Sequence, residues 1–150
     1  MLSYDEAVAC IAQHVPPTRR QRVPLDDALG LRLAEPVVAR IDLPGFDHSA
    51  VDGYAVHGQP GVLGAWRVIG RAEAGRPFRG RLRRGEAVRI LTGARVPAGT
   101  AAVLMQEDTQ LNEETLTVEQ LPRAGQHIRR AGEDVRAGTT VLDTDRKSVV

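Results

Sequence analysis

Aromatic side chains make up only 3 % of this 150-residue chain, so its core must be built mainly from Val, Leu, Ile and Ala. Cysteine is scarcer still. Cys10 stands alone in an amphipathic N-terminal stretch, which excludes an internal disulfide and a cysteine-rich zinc site and fits a reducing compartment. No apolar run approaches the roughly 18 residues of a membrane span, and the N-terminus opens with Asp5 and Glu6 where a secretory leader would be basic. The expected location is the cytoplasm, with no membrane partner. A formal net charge of +1 gives no overall attraction to nucleic acid and leaves local patches as the only electrostatic route to an anionic partner. Lysine is nearly missing, Lys147 being the only one in a chain that otherwise uses arginine. It lies in Asp145-Arg146-Lys147-Ser148-Val149-Val150, which matches the frame GAT CGG AAG AGC GTC GTG of a widely used sequencing adapter, with a stop codon directly after it. The natural chain is therefore expected to continue past Thr144, with 145–150 as a non-native tail.

What is present is short and well punctuated. Ser3 and Glu6 stand at capping-box spacing, and Tyr4, Val8, Ile11, Ala12 and Val15 repeat at helical spacing until Pro16-Pro17. Asp26 to Gly30 reads as a helical turn with a glycine stop, and Leu31 to Val38 as extended chain that Pro36 confines to a sheet edge. From Tyr54 onward come β-type runs, Tyr54 to Val56, Trp66 to Ile69, Ala87 to Leu91, Ala102 to Met105 and Thr115 to Val118, separated by turn residues. The predicted fold class is α+β, mainly β. A small mixed lobe, residues 1–43 with 131–150, carries the N-terminal helix, and an inserted β-barrel-like lobe spans 44–130.

Three motifs carry chemistry. Pro44 to Ala55 packs Asp47, His48, Ser49, Asp52 and two ring types between Pro-Gly and Asp-Gly turns, so these side chains can be held on a scaffold and face outward. An EF-hand fails there, because counting from Asp47 puts Asp52 and Gly58 where Gly and Glu are needed. A turn in which Asp47 and Asp52 cap local N–H groups is the plainer alternative. In Arg89 to Gly99 an apolar strand runs into Thr92-Gly93, which either presents a hydroxyl and N–H groups to an anion or merely shapes a hairpin turn. It lacks the lysine and second glycine of a P-loop. In Gly125 to Val135, Arg129 and Arg130 precede Glu133 and Asp134. This is either an exposed ion-pair cluster or a phosphate grip beside a hard-cation ligand.

Other constellations fall away. Arg76, Arg79, Arg81, Arg83, Arg84 and Arg89 read as a basic hairpin, but no interleaved aromatics offer nucleic acid a stacking platform. His14, His48, His57 and His127 show no regular zinc-ligand spacing, and sequence neighbours such as Asp47, His48 and Ser49 seldom point at one another as a triad requires.

Taken in order, the three motifs resemble the molybdopterin molybdenumtransferase family (MoeA and the gephyrin E domain), over Leu2 to Thr144. Val51 replaces the family's usual Met, a volume-tolerant change. The resemblance implies a homodimer of elongated multi-domain subunits that inserts molybdate into adenylated molybdopterin and releases AMP, with Mg2+ as its divalent ion and a molybdopterin-adenylating protein as a partner. It also implies the roles. Asp52, Thr92 and Asp134 are the catalytic candidates, with Asp52 and Asp134 as magnesium ligands or general bases and Thr92 positioning an oxyanion. Arg129 would hold phosphate or molybdate, and Ser49, Asp47 and Glu107 are further substrate-binding candidates. Family members continue into a larger α/β domain and a small C-terminal β domain. In the family the site lies between that α/β domain of one subunit and the β-rich lobe of the other, so the present chain is expected to hold one wall of the site and to be inactive alone. Two other expectations stand beside this one: a dimerisation or scaffold module without catalysis, and a basic β domain binding RNA through Arg76 to Arg89.

Overall fold

A computed structural model describes residues 2–16, 19–58 and 65–147; Pro17 of the helix stop and 148–150 of the tail lie outside the described residues. The N-terminal helix, α1 (Tyr4–His14), starts where the capping box predicts. Glu6 N–H donates to Ser3 Oγ at 3.3 Å and Ser3 N–H donates to the Glu6 carboxylate at 2.7 Å, so two donors that a helix start leaves unpaired are satisfied. The periodic apolar stripe does not become core. No residue of α1 is buried, and Tyr4 and Ile11 are 83 % and 65 % exposed. A 3-10 turn follows at Leu25–Ala28, and Gly30 takes the left-handed conformation that ends it (φ 80°).

The chain divides into two compact units, Met1–Val37 with Leu142–Val150, and Val38–Val141. The boundaries read from sequence fall inside the larger unit, and the reason is local pairing. Leu43 N–H donates to Val135 O at 2.7 Å, Asp134 N–H to Leu43 O at 2.9 Å and Gly132 N–H to Pro44 O at 2.9 Å, tying 43–44 to 132–135.

Ten strands lie along the described chain: β1 (Val37–Val38), β2 (His48–Ser49), β3 (Gly53–Val56), β4 (Trp66–Ala72), β5 (Glu86–Ile90), β6 (Ala102–Met105), β7 (Thr109–Asn112), β8 (Thr115–Val118), β9 (Ile128–Arg129) and β10 (Thr140–Leu142). β1 pairs with β10, and β2 with β9. The other six form one sheet in the order β6-β3-β5-β4-β8-β7, curled into a half-barrel, so the α+β, mainly β class holds.

Placement of β3 between β5 and β6 buries all four of its residues and splits them by the strand's two-residue period. Tyr54 and Val56 pack with Trp66, Leu104 and Leu116, while Ala55 packs with Leu82, Val88 and Ile90. Two hydrophobic cores, one holding Tyr54 and Trp66 and one with a buried aliphatic centre, therefore grip one strand. Full burial of a Leu or Ile side chain contributes about 1.5–3 kcal/mol, so these layers hold the sheet without help from aromatic stacking. Gly53 is obligatory at the strand's start, because a Cβ there would lie 1.7 Å from the Leu104 carbonyl oxygen.

The basic hairpin expected from Arg76 to Arg89 is not one. β4 and β5 run parallel, with Arg67 opposite Glu86 and Ala72 opposite Ile90, so residues 73–85 form the long crossover that a parallel pair requires. Buried Leu82 anchors that crossover, its N–H donating to Ala98 O at 2.8 Å.

Candidate functional site

The register of the sheet brings two of the three motifs together. Gly53 lies opposite Ile90 on β5 and opposite Met105 on β6, so Asp52, one residue earlier, meets the chain leaving β5 and the chain leaving β6. Thr92 donates to Asp52 Oδ1 through both its backbone N–H and its hydroxyl, each at 2.7 Å. On the other side, Gln106 N–H donates to the Asp52 carbonyl at 3.1 Å. The Thr92 N–H first, then its hydroxyl, hold the Asp52 pKa below the ordinary carboxylate value, with Arg89 adding a favourable charge. Asp52 is thus a fixed anion and a poor proton acceptor near neutral pH. Gly93, at φ 77°, supplies the left-handed step that turns the chain after Thr92, and its N–H donates to Ser49 O at 2.9 Å.

Arg89 and Gln106 complete this corner. Arg89 lies over the Tyr54 ring at 4.9 Å, donates to Gly53 O at 3.2 Å and to Gln106 Oε1, and Gln106 Nε2 reaches Glu107 Oε1 at 3.1 Å. Glu107 is thereby joined to Asp52 and Thr92. Arg89 enters sequence reasoning only as one of a basic run and as the first residue of the second motif, with no role of its own, and Gln106 not at all. The signal that could have found them is Arg89's place between the apolar Val88 and Ile90, where a charge needs a partner.

The third motif faces the first through β2 and β9, with His48 opposite Arg129 and Ser49 opposite Ile128. Asp47 accepts from Ala131 N–H at 2.8 Å and from Arg130 Nη1 at 2.6 Å. The Ala131 N–H first, then Arg130, hold its pKa low against partial desolvation. Arg129 is engaged by Asp134 through Nη2 and by Glu133 through Nε at 3.4 Å. Arg129 and Asp134, assigned separately to an oxyanion and a cation, are therefore each other's partners. Ser49 corrects the outward-facing expectation. It is fully buried, and its hydroxyl donates to Val51 O at 2.5 Å, because β2 is a paired strand and not an open loop. Among the described residues no three His, Cys, Asp or Glu side chains converge to hold a metal, and no helix is long and apolar enough to cross a membrane.

The family profile of the MoeA N-terminal region (domain I and II) matches residues 2–147. The chain belongs to this family. Its relatives include the molybdopterin molybdenumtransferase of Haemophilus influenzae, 42 % identical over 149 residues that cover 95 % of this chain and 36 % of that protein. Molybdopterin molybdenumtransferase 2 of Mycobacterium tuberculosis is 40 % identical over 151 residues, covering 95 % and 36 %. The crystal structure of the molybdopterin biosynthesis moeA protein from Pyrococcus horikoshii OT3 superposes with a TM-score of 0.76 at 36 % identity, over 83 % of this chain and 34 % of that one. The chain thus spans about a third of the length of these relatives. Within this MoeA region, Asp52, Thr92 and Glu107 lie in one corner and Asp47, Arg129 and Asp134 in another. β2 joins the two, its His48 paired with Arg129 and its Ser49 carbonyl bonded to Gly93.

Proposed function

We propose that this chain is the N-terminal portion of a molybdopterin molybdenumtransferase acting in molybdenum cofactor biosynthesis in the cytoplasm. It forms one wall of a site that inserts molybdate into adenylated molybdopterin with release of AMP. The observation that carries this reading is the pair of hydrogen bonds from Thr92 to Asp52 Oδ1, within the region that the family profile matches. Such a lock fixes a carboxylate at a strand end and leaves Oδ2 to act outward. Mg2+ characteristically takes one or two carboxylates together with substrate phosphates and water, so a single ionised Asp52 fits it as a ligand. Asp134 fits less well, since its Oδ1 is engaged by Arg129. When bound, the ion supplies charge neutralisation at the phosphates. Thr92 directs both its N–H and its hydroxyl to Asp52 Oδ1 and so acts as a positioning residue for that carboxylate, and Asp52 serves by position and charge, its low pKa disfavouring a general-base role. The working form is a homodimer of longer subunits supplied by a molybdopterin-adenylating protein, and these 150 residues alone turn over negligibly.

The test is molybdate-dependent AMP release from adenylated molybdopterin by a full-length enzyme carrying this N-terminal portion. Asp52→Ala is expected to lower the rate by about 100-fold or more, the scale of losing one preorganised site group, with dimerisation intact. Normal turnover by the 150-residue chain alone, or unchanged turnover in the variant, overturns the reading. One observation favours a second reading, a dimerisation or scaffold module without catalysis: α1 leaves Tyr4, Val8 and Ile11 exposed along one stripe. Unchanged molybdenum insertion in Asp52→Ala would favour it.

A further inference from the structure

The arginine assigned to an oxyanion by resemblance, Arg129, already holds two carboxylates, and its neighbours in kind are engaged too. Arg130 is bonded to Asp47, and Arg89 to Gly53 O and Gln106. Around β2 and the Thr92 turn a fourth arginine differs. Arg95 is exposed, and among the described residues its guanidinium has no carboxylate, amide or carbonyl partner. It is nevertheless positioned. Its carbon Cζ lies 4.5 Å over the Phe46 ring, and His48 meets that ring edge-on at 6.3 Å and 76°. The backbone on either side is pinned, since Ser49 N–H donates to Ala94 O and Val96 N–H to Asp47 O, both at 3.0 Å. A planar guanidinium lying on an aromatic face keeps its five N–H donors at the rim, so stacking orients the group and leaves its hydrogen bonds unused.

Beside it opens a cleft of about 260 Å³ lined by Phe46, Glu73, Gly75, Pro77, Gly93 and Arg95. That volume is below the roughly 300–1,000 Å³ of sites that enclose a whole small molecule, so the cleft suits one group of a larger ligand. Glu73, its only acid, is held by Arg71 Nε at 2.6 Å, which offsets its charge. We infer that Arg95, presented on Phe46 beside the Thr92-Gly93 turn, binds a tetrahedral oxyanion, either molybdate or the phosphate of a nucleotide. That Arg95 takes an oxyanion comes from the geometry, and that the anion is tetrahedral and a substrate group rests on the function proposed above.

The experiment is titration of the 150-residue chain with sodium molybdate, inorganic phosphate and AMP separately, followed by calorimetry and by amide and guanidinium NMR shifts at Gly93 and Arg95. At least one probe is expected to saturate, and Arg95→Ala or Arg95→Gln to weaken it by about tenfold or more, the scale of a lost charged hydrogen bond. Phe46→Leu keeps the charge but removes the shelf, and should weaken binding less. Arg32→Ala, at an exposed arginine already paired with Asp145 and outside the proposed site, should change it less than about threefold. Saturation by molybdate alone assigns a molybdate subsite, and saturation by phosphate and AMP a phosphate subsite. Either result supports the inference. Binding equal to wild type in both Arg95 variants, or no saturable shift with any probe, overturns it. Failure of the Asp52→Ala activity test would leave this measurement unaffected, so the two readings fail separately.

Discussion

Asp52 and Asp134 carry the same side chain and are held in opposite ways. Asp52 is gripped by neutral donors, the Thr92 N–H and hydroxyl, whereas Asp134 is gripped by a cation, Arg129. A carboxylate held by neutral groups keeps its full negative charge for a third party; one held by a guanidinium has that charge cancelled locally. The supports differ too. Asp52 precedes a strand buried in the middle of the sheet, while Asp134 lies in irregular chain joined to Leu43 and Pro44. Position and charge together make Asp52 the better candidate for holding a cation or aiming a hydroxyl.

The sharpest way to break that comparison is to disturb the two supports by one methyl each. Gly53→Ala places a Cβ 1.7 Å from the Leu104 carbonyl oxygen, and since backbone must move to relieve it, the expected loss is about 3 kcal/mol or more. Gly132→Ala, near Asp134, meets only side-chain atoms of Arg136 and Asp42 at 3.1 and 3.4 Å and the strain of φ 70°, for about 1–2 kcal/mol. Urea denaturation of both variants decides it, and equal losses would mean that the two carboxylates stand on equally rigid ground.

A smaller effect lies in acid. Asp52 and Asp47 both hold pKa values below the ordinary carboxylate range, Asp52 first through the Thr92 N–H and Asp47 first through the Ala131 N–H. Each binds its proton more weakly when folded than when unfolded. Their contribution to stability is therefore complete above the unfolded carboxylate pKa of about 4 and is lost as pH falls through the folded value. Urea midpoints between pH 3 and 7 should drop at the acid end, and Asp52→Asn combined with Asp47→Asn should flatten that limb. An identical limb in the double variant would show that these locks do not couple to folding.

What could be read in advance follows from how far each signal reaches along the chain. Helix α1 and the five strands β3, β4, β5, β6 and β8 are legible because capping boxes, apolar runs and turn residues are local. Strand β7 is not: Thr109-Gln110-Leu111-Asn112 offers one apolar residue and gains its strand from pairing with β8. The parallel pairing of β4 with β5, which turns a basic hairpin into a crossover, leaves no mark in either strand's composition. The burial of Ser49 depends on Ile128, far along the chain, and no pattern within Pro44 to Ala55 announces it. In the same way the motifs are legible as residue types, but the bonds that join Thr92 to Asp52, 40 residues apart, are not. The pairing of Arg129 with Asp134, and the solitary stacking of Arg95 on Phe46, arise from tertiary placement. Helix α1 shows the converse limit, since its stripe tells of a helix but not of what, if anything, covers it.

The smallest expected effect concerns the ion pair itself. Arg129 and Asp134 side chains are 37 % and 56 % exposed, so water screens most of their attraction and ordering two flexible side chains offsets part of the rest. A double-mutant cycle with Arg129→Ala and Asp134→Ala should give a coupling of about 0.5 kcal/mol or less in 0.15 M salt, falling further at 1 M as the screening length shortens to about 3 Å. Such a weak pair can open at little cost. Under the function proposed above, that weakness lets Arg129 exchange Asp134 for a more highly charged anion. A coupling above about 2 kcal/mol, insensitive to salt, would instead make the pair a fixed structural clasp, and would leave Arg95 as the site's working arginine.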